Sequence, residues 1–123
     1  MYKTRFNDTK SKFLNNAGAQ GGVFFLAQSN LSLTESKLNL NFAFDGGALA
    51  ILQGSFANMF RCEFSTNEAY SSGGAIFLNT ESYLWAASTT FQYNTAPDSS
   101  AILILGGHKI QNTTLNGCTF LRN

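Results

Sequence analysis

The residues able to do chemistry in this 123-residue chain are few and scattered. Asp45, Glu63, Glu68 and Glu81 are the candidates for acid, base or nucleophile in sugar cleavage. That reaction needs two carboxyl groups held roughly 5–10 Å apart across the scissile bond. These four fall at different phases of the repeat described below, so no pair is expected to converge, and they read as solvated residues. His108 is the single histidine, which excludes a multi-histidine metal centre, and Gly106-Gly107-His108 reads as a turn. Cys62 and Cys118 form no C-x-x-C unit for metal or redox work. The pairs Gly21-Gly22, Gly46-Gly47 and Gly73-Gly74 do not make the phosphate loop GxxxxGK[ST], nor do they open a dinucleotide-binding helix. No catalytic, cofactor-binding or metal-ligating residue is therefore assigned, and no cofactor is expected. Tyr83 and Trp85, alternate residues on one side of a short strand, suit contact with a carbohydrate or a protein, with packing inside the fold as the competing role.

The elements that hold these side chains are set by an internal repeat. Phe13-Leu14-Asn15-Asn16 recurs as Leu38-Asn39-Leu40-Asn41, Phe64-Ser65-Thr66-Asn67, Phe91-Gln92-Tyr93-Asn94 and Phe120-Leu121-Arg122-Asn123. The anchors Phe13, Leu38, Phe64, Phe91 and Phe120 stand 25, 26, 27 and 29 residues apart. Eight or nine residues after the first four anchors come the three glycine pairs and then Ser99-Ser100, and each small pair leads into an apolar run. The repeats occupy residues 13–37, 38–63, 64–90 and 91–119, with partial circuits at both ends, in one domain spanning 1–123.

Phe24, Leu49, Ile76 and Ile102 form one column, and Leu26, Ile51, Leu78 and Ile104 form another two residues later. Two such columns share a face only in a strand. The spacing predicts an all-β coil of about four to five circuits, with three brief strands per circuit stacked in parallel about 4.8 Å apart. A less regular segment is expected around Leu31–Leu33, Phe56–Met59, Tyr83–Ala86 and Ile110–Leu115. The glycine pairs are read as turns. A leucine-rich repeat, suggested locally by Leu31, Leu33, Leu38, Leu40 and Asn41, and a generic antiparallel sandwich are the competing folds.

Asn16, Asn41, Asn67, Asn94 and Asn123 each follow an anchor by three residues. An amide at a coil corner both donates and accepts, so the five are expected to form a ladder, with exposed turn residues as the plain alternative. Ser11, Ser36, Cys62, Thr89 and Cys118 precede the anchors by two. The two cysteines would then lie two circuits apart, roughly 9–10 Å, too far for a disulfide, and both are expected reduced and facing inward.

Composition bounds the remainder. Eight basic and seven acidic residues give a formal charge of +1. The beginning is mildly basic, with Lys3, Arg5, Lys10 and Lys12, but no field or stacking pattern points to nucleic acid. The apolar runs are too short to span a membrane. Met1 to Phe6 does not lead into a secretory signal segment. Asn7-Asp8-Thr9, Asn30-Leu31-Ser32 and Asn112-Thr113-Thr114 match the glycosylation pattern, although a chain this rich in Asn, Ser and Thr generates such triplets by composition. No capping helix is visible, so protein partners or a continuing coil are expected to cover one or both ends, the chain being a fragment or a partner-capped subunit.

Gly73-Gly74-Ala75-Ile76, preceded by Phe64-Ser65-Thr66-Asn67, resembles the repeat of polymorphic outer-membrane proteins, and Gly46-Gly47-Ala48-Leu49 and Gly21-Gly22-Val23-Phe24 are close relatives of it. The resemblance covers most of residues 6–123 and departs at Leu38 and Ser99-Ser100. It implies a right-handed, single-stranded parallel β-helix displayed at a cell surface or outside the cell, often in adhesion. The functional expectation is a non-catalytic structural or protein-interaction module with a carbohydrate or cell-surface ligand. The alternatives are a scaffold subunit of an intracellular complex and a polysaccharide-active enzyme.

Overall fold

The computed structural model describes residues 4–79, 81–105 and 112–123, and within them the chain is an all-parallel β-solenoid of about four turns. The first circuit contains β1 (Arg5–Thr9), β2 (Lys12–Leu14), β3 (Ala17–Gln20) and β4 (Phe24–Ala27). The second contains β5 (Asn30–Thr34), β6 (Lys37–Asn39), β7 (Phe42–Asp45) and β8 (Leu49–Leu52). The third contains β9 (Phe56–Phe60), β10 (Glu63–Ser65), β11 (Glu68–Ser72) and β12 (Ile76–Leu78). The fourth contains β13 (Tyr83–Ala87), β14 (Thr90–Gln92) and β15 (Ile102–Ile104), and the next begins with β16 (Asn112–Asn116) and β17 (Thr119–Leu121).

Equivalent strands pair into four sheets. Sheet A holds β1, β5, β9, β13 and β16; sheet B holds β2, β6, β10, β14 and β17; sheet C holds β3, β7 and β11; sheet D holds β4, β8, β12 and β15. A full circuit therefore has four sides, where the intervals alone suggest three strands. The segment expected to be least regular forms sheet A, whose strands are all five residues long. In the fourth circuit sheet C shrinks to two bridges, Glu68 to Thr95 and Ser72 to Asp98. Pro97, with no amide hydrogen to give a ladder, lies between them.

Register follows the anchor spacing. Phe13, Leu38, Phe64, Phe91 and Phe120 stand in line in sheet B. Phe24, Leu49, Ile76 and Ile102 do the same in sheet D. Inward-facing residues from three sheets meet in one core: Leu31, Leu33, Ala57, Met59, Leu84 and Ala86 from sheet A, Leu38, Phe64 and Phe91 from sheet B, and Leu26, Leu49, Ile51, Ile76 and Leu78 from sheet D. Large and small residues alternate up one sheet A column, where Ala57 lies between Leu31 and Leu84, so the circuits interdigitate. Phe64, Phe91 and Phe120 stack at 5.0 Å between successive ring centroids. At the two ends of the stack the inner columns lose their cover: Phe6, Ile104, Leu115 and Phe120 are all exposed.

The corners are made by single residues in the left-handed region. Asn15, Leu40, Thr66, Tyr93 and Arg122, each just before a ladder asparagine, have φ between 48° and 58°. A β-carbon there costs roughly 1–2 kcal/mol, least for asparagine, which the first circuit uses. Leu40 is also half exposed and contributes nothing to the core. Leu40→Asn is expected to raise stability by about 0.5–1 kcal/mol, read as a higher urea midpoint at unchanged slope.

Candidate functional site

Three sets of side-chain ladders fix the sheets that carry the site. At the B–C corner, Asn41 Oδ1 accepts from the Asn16 backbone N–H at 3.0 Å and from Asn16 Nδ2 at 3.1 Å. Asn67, Asn94 and Asn123 repeat this pattern up the stack. The second amide hydrogen of each goes to an anchor carbonyl of the circuit below: Asn41 to Phe13, Asn67 to Leu38, Asn94 to Phe64 and Asn123 to Phe91. Both donors and the acceptor of each interior amide are thus used, which is why a side chain as polar as Asn41, Asn67 or Asn94 is buried there.

The A–B corner uses a smaller device. Ser36 Oγ accepts from the Ser11 backbone N–H at 3.3 Å, and Thr89 Oγ1 accepts from the Cys62 N–H at 3.4 Å. Thr89 in turn donates to the Ala87 carbonyl two residues earlier, whereas the Ser11 and Ser36 hydroxyls donate to the Asp8 carboxylate at 2.6 Å and 2.8 Å. The D–A corner carries a third ladder, unread in the sequence, in which Ser55 accepts from the Ser29 N–H and Ser82 from the Ser55 N–H.

Cys62 and Cys118 are both free, with Thr89 on the intervening circuit. Cys62 is buried and its Sγ lies 3.4 Å from the Leu33 carbonyl oxygen, whereas Cys118 is half-buried. Burial pushes the Cys62 thiol above its ordinary value. Native protein at pH 8 is expected to be alkylated first at Cys118, with Cys62 reacting only after denaturant is added, as read by mass spectrometry. Because the folded thiol holds its proton to higher pH than the unfolded one, stability from this site falls as pH rises above about 8.5.

With the corners pinned, the outward side chains of sheet A form straight columns. One runs Arg5, Asn30, Phe56, Tyr83, and the next runs Asn7, Ser32, Asn58, Trp85, Thr114. Phe56 and Tyr83 are stacked with centroids 4.4 Å apart and planes 7° from parallel. Trp85 is 40% exposed beside them. On one side of the Phe56–Tyr83 pair a depression is lined by Asn58, Leu84, Trp85 and Thr114, and on the other side one is lined by Arg5, Asn7, Asn30, Ser32 and Asn58. At the far end of β9, Arg61 lies over the Phe60 ring at 4.9 Å. This face combines ring surfaces with amides and hydroxyls, the groups that pack on and hydrogen-bond a polar ligand.

The carboxylates singled out in the sequence stay apart. Glu63 pairs with Lys37 at 3.5 Å on sheet B. Asp45 and Glu68 sit at opposite ends of sheet C, and Glu81 is exposed in the turn before β13. Lys10 pairs with Glu35 at 4.0 Å. Lys3, Ile110 and the Gly106-Gly107-His108 turn lie outside the described residues. Among the described residues no three His, Cys, Asp or Glu side chains gather, and no helix is long and apolar enough to cross a membrane. The glycine pairs form the C–D corner, where the first glycine takes a left-handed φ of 64–66°.

A second apolar surface lies on the outer faces of sheets C and D, where Phe25, Phe42, Phe44 and Tyr70 are exposed and Phe44 meets Tyr70 at 5.5 Å. No protein family, curated protein or solved structure matches the chain.

Proposed function

We propose that the chain is a non-catalytic interaction module that presents the outer face of sheet A to a ligand, in the manner of an adhesin-like β-helix at a cell surface. The observation that carries this reading is the stacked Phe56–Tyr83 pair with Trp85 beside it, solvent-facing rings held at fixed spacing by the backbone ladder. Large exposed rings flanked by amides mark contact surfaces on soluble domains. The resemblance of Gly73-Gly74-Ala75-Ile76 to the polymorphic outer-membrane repeat supports the surface setting. The acidic residues support the non-catalytic part of the reading: Glu63 and Glu35 are engaged with lysines, and Asp8 with serine hydroxyls, all away from the rings.

The test is a binding panel of extracellular proteins and oligosaccharides against the immobilised chain and a Tyr83→Ala/Trp85→Ala variant. Loss of two central aromatic contacts is expected to weaken capture by about tenfold or more. The thermal midpoint should move little, since neither ring is in the core. Unchanged capture by the double variant would refute the reading, and product formation from a polysaccharide would replace it with an enzyme.

A second reading, a scaffold subunit of a larger complex, is favoured by the exposed rings of Phe25, Phe44 and Tyr70. Intact mass together with stoichiometric co-purification separates it from the first.

A further inference from the structure

The cavity below Phe56 has a chemistry that the aromatic face as a whole does not. It measures about 280 Å³ and is lined by Arg5, Asn7, Asn30, Ser32, Phe56 and Asn58. Its shape follows from register: Arg5, Asn30 and Phe56 share a column, so a short amide stands between a guanidinium below and a ring above. Two ladder steps put Arg5 and Phe56 about 9.6 Å apart along the axis. That gap admits one ring in contact with Phe56 on one side and Arg5 on the other. Tyr83 covers the opposite face of Phe56, so the free face is the one toward the cavity.

The lining selects the occupant. Among the described residues that form it, Arg5 is the only charged one and none is a carboxylate. The nearest acid along the strand, Asp8, is turned away, accepting from the Ser11 hydroxyl at 2.6 Å and the Ser36 hydroxyl at 2.8 Å. An unneutralised guanidinium matches a carboxylate in a two-pronged geometry. Three amides and a hydroxyl surround it, each able to donate and accept, which suits a ring bearing several hydroxyls. A purely aromatic anion would leave those polar groups unpaired as it excluded water. The Phe56 and Asn58 side chains also line the depression that continues past Tyr83 and Trp85 to Thr114. The groove thus runs along the solenoid axis across successive circuits, so it fits an extended polymer better than a single sugar.

We propose that this groove binds a uronate-bearing polysaccharide, one acidic pyranose sitting over Phe56 with its carboxylate on Arg5 and its hydroxyls on Asn7, Asn30, Ser32 and Asn58. The proposal rests on the contact-face reading above and names its ligand class.

The experiment is an NMR titration of isotope-labelled protein made in a host without N-glycosylation, because Asn7 and Asn30 head glycosylation triplets. The probes are a short oligogalacturonate, the same oligosaccharide with its carboxyls methyl-esterified, and a sulfated oligosaccharide of similar length. The oligogalacturonate should shift the amides of Asn30, Ser32 and Phe56 and bind about tenfold or more tighter than the ester, the worth of one charge-assisted contact. Arg5→Gln should abolish that preference, and Phe56→Leu should weaken both uronate probes while leaving far-UV circular dichroism unchanged. No shifts at millimolar oligogalacturonate, equal binding of the ester, tighter binding of the sulfated probe, or an unaffected Arg5→Gln variant would each overturn the proposal. If a different ligand is captured through Tyr83 and Trp85 but not Arg5, the uronate assignment fails while the contact face stands; if no ligand depends on either, both fail.

Discussion

Asn67→Ala is expected to destabilise the chain by about 3 kcal/mol or more and to lower the thermal midpoint by about 10 °C. The asparagine is fully buried, and its amide closes four contacts. Its Oδ1 takes the Asn41 backbone N–H at 3.0 Å and Asn41 Nδ2 at 2.9 Å, while its Nδ2 gives to the Leu38 carbonyl at 2.8 Å and to Asn94 Oδ1 at 3.0 Å. Alanine leaves the Asn41 backbone N–H and one Asn41 side-chain amide hydrogen without an acceptor in a dry corner, and each unmet group costs about 1–3 kcal/mol. Asn16, at the exposed first rung, only donates to Asn41, so Asn16→Ala should cost well under half as much. Asn67→Asp gives the mechanism a sign. A carboxylate can accept but not donate, and burial would raise its folded pKa above the unfolded value near 3.9. The variant should therefore lose stability as pH rises through and above about 4, opposite to the ordinary paired carboxylate. Urea denaturation at pH 4 and pH 7 measures this, and equal cost for Asn16→Ala and Asn67→Ala would show that the amides do not act as a ladder.

Gly47→Ala is expected to cost about 3 kcal/mol or more, a large fraction of the stability of an ordinary domain. A β-carbon on Gly47 would stand 2.2 Å from the Gly74 carbonyl oxygen and 2.6 Å from that of Glu68. Both are backbone atoms of the next circuit, held by the ladder, so neither can give way. Gly22 and Gly74 face the same obstruction, 2.3 Å from the Gly47 oxygen and 2.1 Å from the Ser100 oxygen. The fourth corner is Ser99-Ser100, and among the described residues no further corner of this kind stands over it. Gly54 is the control. It too has a positive φ, 72°, but a β-carbon there meets nothing within 4 Å. Gly54→Ala should therefore cost only the backbone term, about 1 kcal/mol. Comparable destabilisation by the two substitutions, measured by urea unfolding, would mean that glycine at position 47 serves backbone conformation alone.

The sequence disclosed the parts of this fold in which one residue type recurs at one phase. The anchor column and the ladder asparagines were legible because an apolar residue followed by Asn three positions later leaves few structural roles. The glycine pairs were legible as turns, but their second function, close approach of circuits, depends on carbonyls 25 to 27 residues away and has no local signature. Sheet C has no sequence signature because its inward residues are Gly18, Ala43 and Ala69, too small to mark a hydrophobic column. Sheet A looked irregular for a related reason: its inner columns mix Leu31 and Leu84 with Ala57, and Met59 with Ala86, which pack well together but spoil the pattern. The contact face was half visible. Tyr83 and Trp85 stood out as alternate aromatics, yet Arg5, Asn30 and Phe56 share a column without sharing a residue type, so only the register brings them together.

Everything proposed for that face depends on circuits stacking in parallel and in register, and amide-to-amide nuclear Overhauser contacts across sheet A measure this directly. The structure predicts contacts at a constant offset along each pair, Asn30 through Thr34 meeting Phe56 through Phe60 and these meeting Tyr83 through Ala87 in the same order. Contacts in the reverse order, Asn30 nearest Phe60 and Thr34 nearest Phe56, would mean antiparallel pairing and would remove the column that joins Arg5 to Phe56.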